Sequence, residues 1–441
     1  MFSSLREALS IETFGKKYGH IVRYVGLVVE ATGLNVFVGE RCRIFCQDSL
    51  HYIESEVIGF RDDKTILMPF GRLEGITVNS LVIGLGKQSV INVGRSLIGR
   101  IIDAFGNPLD AKGDIPKEAQ YPIRRTTTHN PLSRQRITER FETGIKVIDN
   151  FLPLGIGQRI GIFAGSGVGK STLLGMCANR QSQYINVIAL IGERGREVTD
   201  FIEDRLGEEG LSRSVVIVAT SDEPPLVRSH AVFTALAIAE YFCDQGENVL
   251  LMLDSMTRFA MSHREIGLAA GEPPTVKGYT PSVFSILPEV VERTGNFKNK
   301  GSITGIFTVL VEGDDISEPV TDAMRGILDG HIMLSRKIAA QNRFPAVDIL
   351  QSNSRVWEYL TDEKEQQQIN RIKQVLAEKT AVEELIEIGA YQSGVDSKQD
   401  RILAAGWEIE QIFRQKAGEW CDRVKIYQKL EKVLESLDSE T

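Results

Sequence analysis

The segment that leaves this chain the fewest alternatives is Ala164-Gly165-Ser166-Gly167-Val168-Gly169-Lys170-Ser171-Thr172. It is set between an apolar run, Arg159-Ile160-Gly161-Ile162-Phe163, and the helix-forming Leu173-Leu174. Strand, glycine-rich loop and helix in that order turn successive backbone N–H groups inward, and the positive end of the helix faces the same way. Such a cradle takes phosphate. Gly165, Ser166, Gly167, Val168, Gly169, Lys170, Ser171 and Thr172 are therefore expected around a nucleotide, with Lys170 on the β- and γ-phosphates and Ser171 on Mg²⁺. The strict pattern begins with Gly where this chain has Ala164, and Ala serves if it keeps a negative φ. ATP and Mg²⁺ are the expected ligands.

The apolar runs on either side set the organisation. Residues 18–92 hold brief runs rich in Val, Ile, Leu and Phe, at 21–29, 35–38, 55–60 and 65–69, separated by Gly26, Gly33, Gly39, Asp62-Asp63 and Gly71. That rhythm predicts a small β-barrel after a short amphipathic arm. Residues 93–150, with Phe105-Gly106-Asn107-Pro108 and His129-Asn130-Pro131-Leu132, read as a connector. From 151 to 350 short apolar runs alternate with helical patterns, the form of a mostly parallel sheet covered on both faces. Its strands are expected at 159–163, 186–191, 214–220, 248–253 and 302–310. Beyond Glu358, charged segments such as 363–379 and 400–415, broken near Gly389 and Gly394, predict a C-terminal helical domain. The fold class is α/β, divided into an arm and barrel (1–92), the phosphate-loop core with its entry connector (93–358) and the helical domain (359–441).

Composition removes some functions. At 441 residues the chain has room for two or three domains, and a formal charge of −8 gives no field that gathers nucleic-acid phosphates or anionic lipid. The five cysteines are scattered; Cys42 and Cys46 lack the two-residue gap of zinc sites and have no second pair. Met1-Phe2-Ser3-Ser4-Leu5-Arg6-Glu7 lacks the apolar stretch of a signal peptide, and no run reaches the ~18 apolar residues of a membrane span. The expected compartment is the cytosol.

Carboxylates and arginines with a place near the phosphates come next. Asp254 ends the run Asn248-Val249-Leu250-Leu251-Met252-Leu253, where open α/β sheets bind ligands. A lone Asp after a strand is more often a helix cap; beside a phosphate loop it becomes the acid on the Mg²⁺ side. The strand ending at Ile191 runs into Gly192-Glu193-Arg194-Gly195-Arg196-Glu197. Hydrolysis needs a group that orients the attacking water; Glu193 is the choice and Glu197 the competitor. Arg194 is a γ-phosphate candidate, and Arg196 reads as structural. Arg355, on a segment after the sheet, is a candidate arginine finger, although most surface arginines are merely solvated. Phe344, before Pro345, suits stacking on adenine, with a core Phe as the alternative.

Taken in order, these residues resemble the export ATPases of bacterial flagella and type III secretion systems, relatives of the rotary ATP synthase catalytic subunits. The matching stretches include Val93-Gly94-Arg95-Ser96-Leu97-Ile98-Gly99-Arg100, Thr143-Gly144-Ile145-Lys146-Val147-Ile148-Asp149 and Leu253-Asp254-Ser255-Met256-Thr257-Arg258. They continue with Gly271-Glu272-Pro273-Pro274, Gly278-Tyr279-Thr280-Pro281 and Glu312-Gly313-Asp314-Asp315. The resemblance implies a homohexameric ring of RecA-like domains with nucleotides at subunit interfaces. It implies Glu193 as the catalytic acid/base, Arg355 as a finger given in trans, and Phe344 stacking where relatives usually carry Tyr. It also implies stator-like and stalk-like partners, chaperones and export substrates, and peripheral attachment to an export gate at the inner membrane.

Three other readings share this core. In a rotary synthase subunit, the loop at residues 389–396 would be strongly acidic, and here it has a single acid, Asp396. A ring translocase of RNA would need basic and aromatic clusters in the first barrel, which the sequence does not offer, so no nucleic-acid partner is expected. A non-hydrolysing subunit would lack the carboxylate at Glu193. Between the two export branches, Gly271-Glu272-Pro273-Pro274 leans toward the flagellar one.

Overall fold

Near the amino end, six strands close into a barrel. Their order around it is Tyr18–Val25, Val28–Thr32, Lys64–Pro69, Tyr52–Arg61, Glu40–Phe45 and Leu81–Gln88, with the last pairing back onto the first. The computed structural model describes residues 18–47, 51–124, 130–180, 183–311, 313, 315–392, 394 and 396–439. The expectations placed on the arm, His129, Glu312, Asp314, Ser393 and Val395 lie outside the described residues. Two strand expectations in the barrel are corrected. Residues 21–29 form a hairpin rather than one strand, because Gly26 takes φ +57° and reverses the chain. Residues 35–38 are not a strand: the Phe37 N–H bonds the Glu40 carboxylate and the chain turns there, so pairing starts only at Glu40. Ile21, Val29, Ile44, Val57, Leu67 and Val82 fill the barrel interior. Arg43 lies 4.3 Å over the Tyr52 ring, with Glu54 3.9 Å from its Nε.

The central sheet runs Val347–Ser354, Gly330–Leu334, Arg159–Ala164, Ser302–Leu310, Val249–Asp254, Ile185–Ile191, Ser214–Ala219, Arg100–Ile102. Neighbours are parallel except at Val347–Ser354, which lies antiparallel on the edge, and at the two-residue strand Gly295–Asn296, which pairs antiparallel with Ile303 and Ser302. Every residue of Ile185–Ile191 and Val249–Asp254 is buried, as a strand covered on both faces requires. Arg100–Ile102, inside the expected connector, supplies the other edge, locked by the bidentate Arg100–Asp110 pair. Helix Pro225–Asp244 is long and apolar enough to cross a membrane, yet 89% of its apolar window is buried inside the protein, so it packs as a core helix.

The C-terminal helices are Glu363–Glu387, Ser397–Phe413 and Arg423–Ser439. The first starts at a capping box made by Asp362 and Glu365 and runs past the expected end at 379, since no breaker intervenes before Gly389. The second starts at Ser397, three residues before its expected start, capped by Asp396, which accepts from the Lys398 and Gln399 amides. These helices are pinned to the core beside the phosphate loop. Gln415 accepts from the Lys146 amide at 2.8 Å and donates to the Gly144 carbonyl at 2.8 Å. Glu410 bridges Arg343 and the buried Lys379.

Candidate active site

Three strand ends converge on the phosphate loop. Arg159–Ala164 delivers it, and Ala164 closes that strand without a positive φ, the condition on which Ala can stand there. Gly167 and Gly169 take φ +79° and +94°, a left-handed backbone that L side chains rarely adopt, and this turns the loop back onto the helix Lys170–Arg180. A Cβ on Gly165 would stand 2.6 Å from Arg336 Nε, so glycine there lets the guanidinium pack against the loop. Sequence reasoning missed that contact. Ahead of that strand the buried Asp149 accepts from the amides of Thr143 and Gly144 and from the Thr143 hydroxyl at 2.7–2.8 Å.

The second strand end, Val249–Asp254, presents a carboxylate that is almost wholly buried. Asp254 Oδ1 accepts from Lys170 Nζ at 2.5 Å and from the Thr308 hydroxyl at 2.6 Å. The third, Ile185–Ile191, leads through Gly192 to Glu193, whose Oε1 accepts from the same ammonium at 3.4 Å. Lys170 thus bridges both acids. Burial works against its charge, but Asp254 and Glu193 together outweigh burial and hold its pKa above that of an ordinary lysine. Glu193 is pushed up to about 7, first by burial and further by the carboxylates of Asp254 and Glu197, against the pull of Lys170. The exposed Ser171 hydroxyl at the helix start and the fixed Asp254 carboxylate are hard oxygen donors of the kind that suits Mg²⁺.

Other expected residues fall at different distances from this centre. Arg194 points to solvent, 82% exposed, with Glu197 at 3.8 Å, and is not gathered with Lys170 in this conformation. Arg196 is more exposed still and faces Asp200. Arg258, for which the sequence predicts no role, packs on Gly192, and its buried Nε has no hydrogen-bond partner among the described residues. No pattern in the sequence marks it, because its nearness to Glu193 is a product of strand order.

Phe344 does reach the phosphate loop: its ring lies 3.6 Å from where a Cβ on Gly169 would stand. It borders a cavity of about 630 Å³ with Val168, Thr172 and Pro345 on one side and Gln415 and Ala417 of the helical domain on the other. The Gln415 amide donates to the Phe344 carbonyl at 3.0 Å, so the helical domain fixes the loop that carries the ring. Base stacking on an aromatic ring is worth about 1–3 kcal/mol. Phe344→Ala is expected to weaken ATP binding about tenfold with kcat within about twofold, and Phe344→Tyr to restore it. Calorimetric titration with ATP decides; unchanged affinity in the alanine variant would remove Phe344 from the base pocket.

Arg355 sits elsewhere. The edge strand Val347–Ser354 runs antiparallel to Gly330–Leu334, with Val347 opposite Leu334 and Ser354 opposite Gly330. Leu334 in turn lies beside Ala164, at the phosphate-loop end. Arg355 therefore follows the strand at the far end of the sheet, four residue steps or roughly 13 Å below Ala164 before the loop itself is counted. There its amide bonds the Asp329 carbonyl and its Nη2 donates to the Arg325 carbonyl at 3.1 Å. One strand so carries Phe344 to its own phosphate loop and Arg355 away from it.

The chain matches known families along most of its length. The profile of the ATP synthase alpha/beta family nucleotide-binding domain matches residues 144–354, that family's beta-barrel domain matches 21–86, and the T3SS EscN ATPase C-terminal domain matches 361–432. The flagellum-specific ATP synthase of Bacillus subtilis (strain 168) is 47% identical over 94% of this chain and 95% of its own length. The type 3 secretion system ATPase of Xanthomonas euvesicatoria is 45% identical over 91% of this chain and 90% of its own. The assembled ATPase EscN from the enteropathogenic E. coli type III secretion system superposes with a TM-score of 0.88 at 42% identity, covering 94% of this chain and 100% of that one. EscN in complex with its central stalk EscO gives 0.84, with the same identity and coverage. With sequence likeness running through barrel, core and helices alike, the chain belongs to the family of flagellum-specific ATP synthases and type 3 secretion system ATPases.

Proposed function

We propose that this chain hydrolyses ATP to ADP and phosphate in a homohexameric ring, and that turnover energises the export of flagellar or type III secretion proteins, including their release from chaperones and unfolding. The observation that carries this is the Lys170 ammonium shared by Asp254 and Glu193 directly beneath a glycine-rich loop. In this reading the loop amides and Lys170 hold the triphosphate, Glu193 orients the attacking water, and Arg258 meets the phosphate oxygens with its unpartnered face. Ser171 and, through water, Asp254 would hold Mg²⁺, whose charge offsets that of the phosphates when bound. Arg355 would complete the site of the neighbouring copy. The residues beyond 358 would face a stalk-like partner, and the residues before 93 would serve ring assembly and a stator-like partner. The protein would work on the cytoplasmic side, peripheral to the gate of the inner-membrane export apparatus.

The cellular test is a host in which the resident gene encodes Asp254→Asn. The protein should accumulate at its normal level while export substrates remain inside the cell. Normal secretion from that strain, with hydrolysis by the purified variant confirmed absent, would detach export from this ATPase.

A further inference from the structure

A second cavity, of about 440 Å³, opens at the far end of the sheet, and Arg325, His331, Ser352, Asn353 and Lys373 are in its wall. Arg325 comes from the helix Pro319–Ile327, His331 from the strand Gly330–Leu334, Ser352 and Asn353 from the edge strand, and Lys373 from the first C-terminal helix. Four elements thus bring two cations and an imidazole together. Among the described residues no carboxylate lines the cavity. Arg325 Nε is buried without a hydrogen-bond partner among the described residues. The Lys373 ammonium lies 5.3 Å over the Phe151 ring and 5.6 Å over Trp357, and burial alone depresses its pKa. His331 is depressed by burial and then by the Arg325 and Arg355 guanidiniums. Its neutral ring donates from Nε2 to the Gln351 carbonyl at 3.0 Å, which fixes the tautomer.

Partly buried cations without a carboxylate are costly, and an entering anion relieves that cost. A guanidinium offers two parallel donors to an oxyanion, and an ammonium adds a point charge beside it. The placement matters as much as the charge. Arg355 donates to the main-chain carbonyl of Arg325 itself, so the cavity wall and the proposed finger share a residue.

We infer that the cavity walled by Arg325, His331 and Lys373 is an oxyanion site that takes a phosphate group, either as free inorganic phosphate or as part of the nucleotide held by the neighbouring copy. The second source rests on the trans role of Arg355; the first does not.

The test uses the full chain with ADP saturating its own phosphate loop, titrated with inorganic phosphate, first dispersed to verified monomer and then assembled. Wild type should bind phosphate as a monomer, and Arg325→Gln and Lys373→Gln should each weaken that binding at least tenfold while leaving ADP affinity unchanged. That outcome identifies free phosphate as a ligand. If the monomer does not bind phosphate but phosphate inhibits turnover of the ring, and both variants relieve that inhibition at least fivefold, the neighbour's nucleotide is the source. Titrations and inhibition that are the same in wild type and both variants would overturn the site. Because the two side chains lie on separate elements, misfolding of one variant, seen as a lowered melting temperature, leaves the other to decide. Arg355→Ala is read separately: if it turns over normally, the finger reading fails while the monomer phosphate titration keeps its meaning.

Discussion

Glu193→Gln is expected to bind ATP with near wild-type affinity and to lose about 10²- to 10⁴-fold in steady-state hydrolysis, the range spanned by a positioned acid or base. The amide keeps the size and one hydrogen-bond acceptor for Lys170, so the phosphate loop is not disturbed. What it loses is the ability to take a proton from water. The carboxylate also predicts a pH signature. Burial and the neighbouring acids push Glu193 up to about 7, so in the free enzyme the basic form is scarce at pH 6 and dominant at pH 8. The wild-type kcat/KM should therefore rise as pH passes through about 7, and the small residual activity of Glu193→Gln should lack that limb. Glu197 is the alternative, but it is half exposed and lies beside Arg194 on the first turn of the helix Gly195–Asp200. A wild-type rate in Glu193→Gln would shift the role to Glu197, and a pH limb that survives the substitution would assign the titrating group elsewhere.

What could be read from the sequence, and what could not, divides along burial. The five expected core strands are present with ends within one residue, because strands covered on both faces must be continuously apolar. Gly330–Leu334 and Val347–Ser354 were not expected. The latter is an edge strand whose Gln351 and Asn353 stay exposed, so its run is interrupted by polar residues. The helix Arg423–Ser439 is a further charged segment of the expected helical domain, and it buries Ile426, Leu430, Val433 and Leu434. In the barrel, Phe37 and Val38 look like strand residues but are exposed in a turn. The phosphate loop was legible because its chemistry is contiguous in the chain. Asp254 and Glu193 could be proposed because each ends an apolar run. Arg258, Arg336, Gln415 and Arg325 owe their positions to strand order and domain packing, and nothing local announces them.

Arg355→Ala is expected to bind ATP almost normally, to keep the low rate of an isolated chain at every protein concentration, and so to fall about 10³- to 10⁵-fold below the assembled wild type, as removal of a trans-acting arginine does elsewhere. The sheet supplies the reason to look outside the subunit. The edge strand ends at the opposite pole from its own phosphate loop, so the guanidinium cannot reach its own γ-phosphate without unpairing that strand. If a neighbouring copy is the recipient, wild-type specific activity must climb with protein concentration as rings form. Mixing tests the geometry directly. Arg355→Ala chains keep an intact Glu193 site, and Glu193→Gln chains keep an intact arginine, so an interface that pairs the first chain's site with the second chain's finger is complete. Rings mixed in equal amounts should recover part of the wild-type rate, although neither variant alone has it. An arginine that only braces the Arg325 carbonyl and the loop around Asp329 predicts a different pattern: a lowered melting temperature, a concentration-independent defect and no rescue on mixing. Flat specific activity from verified monomer to verified ring, together with inactive mixed rings, would take Arg355 out of the reaction and leave it as a structural contact.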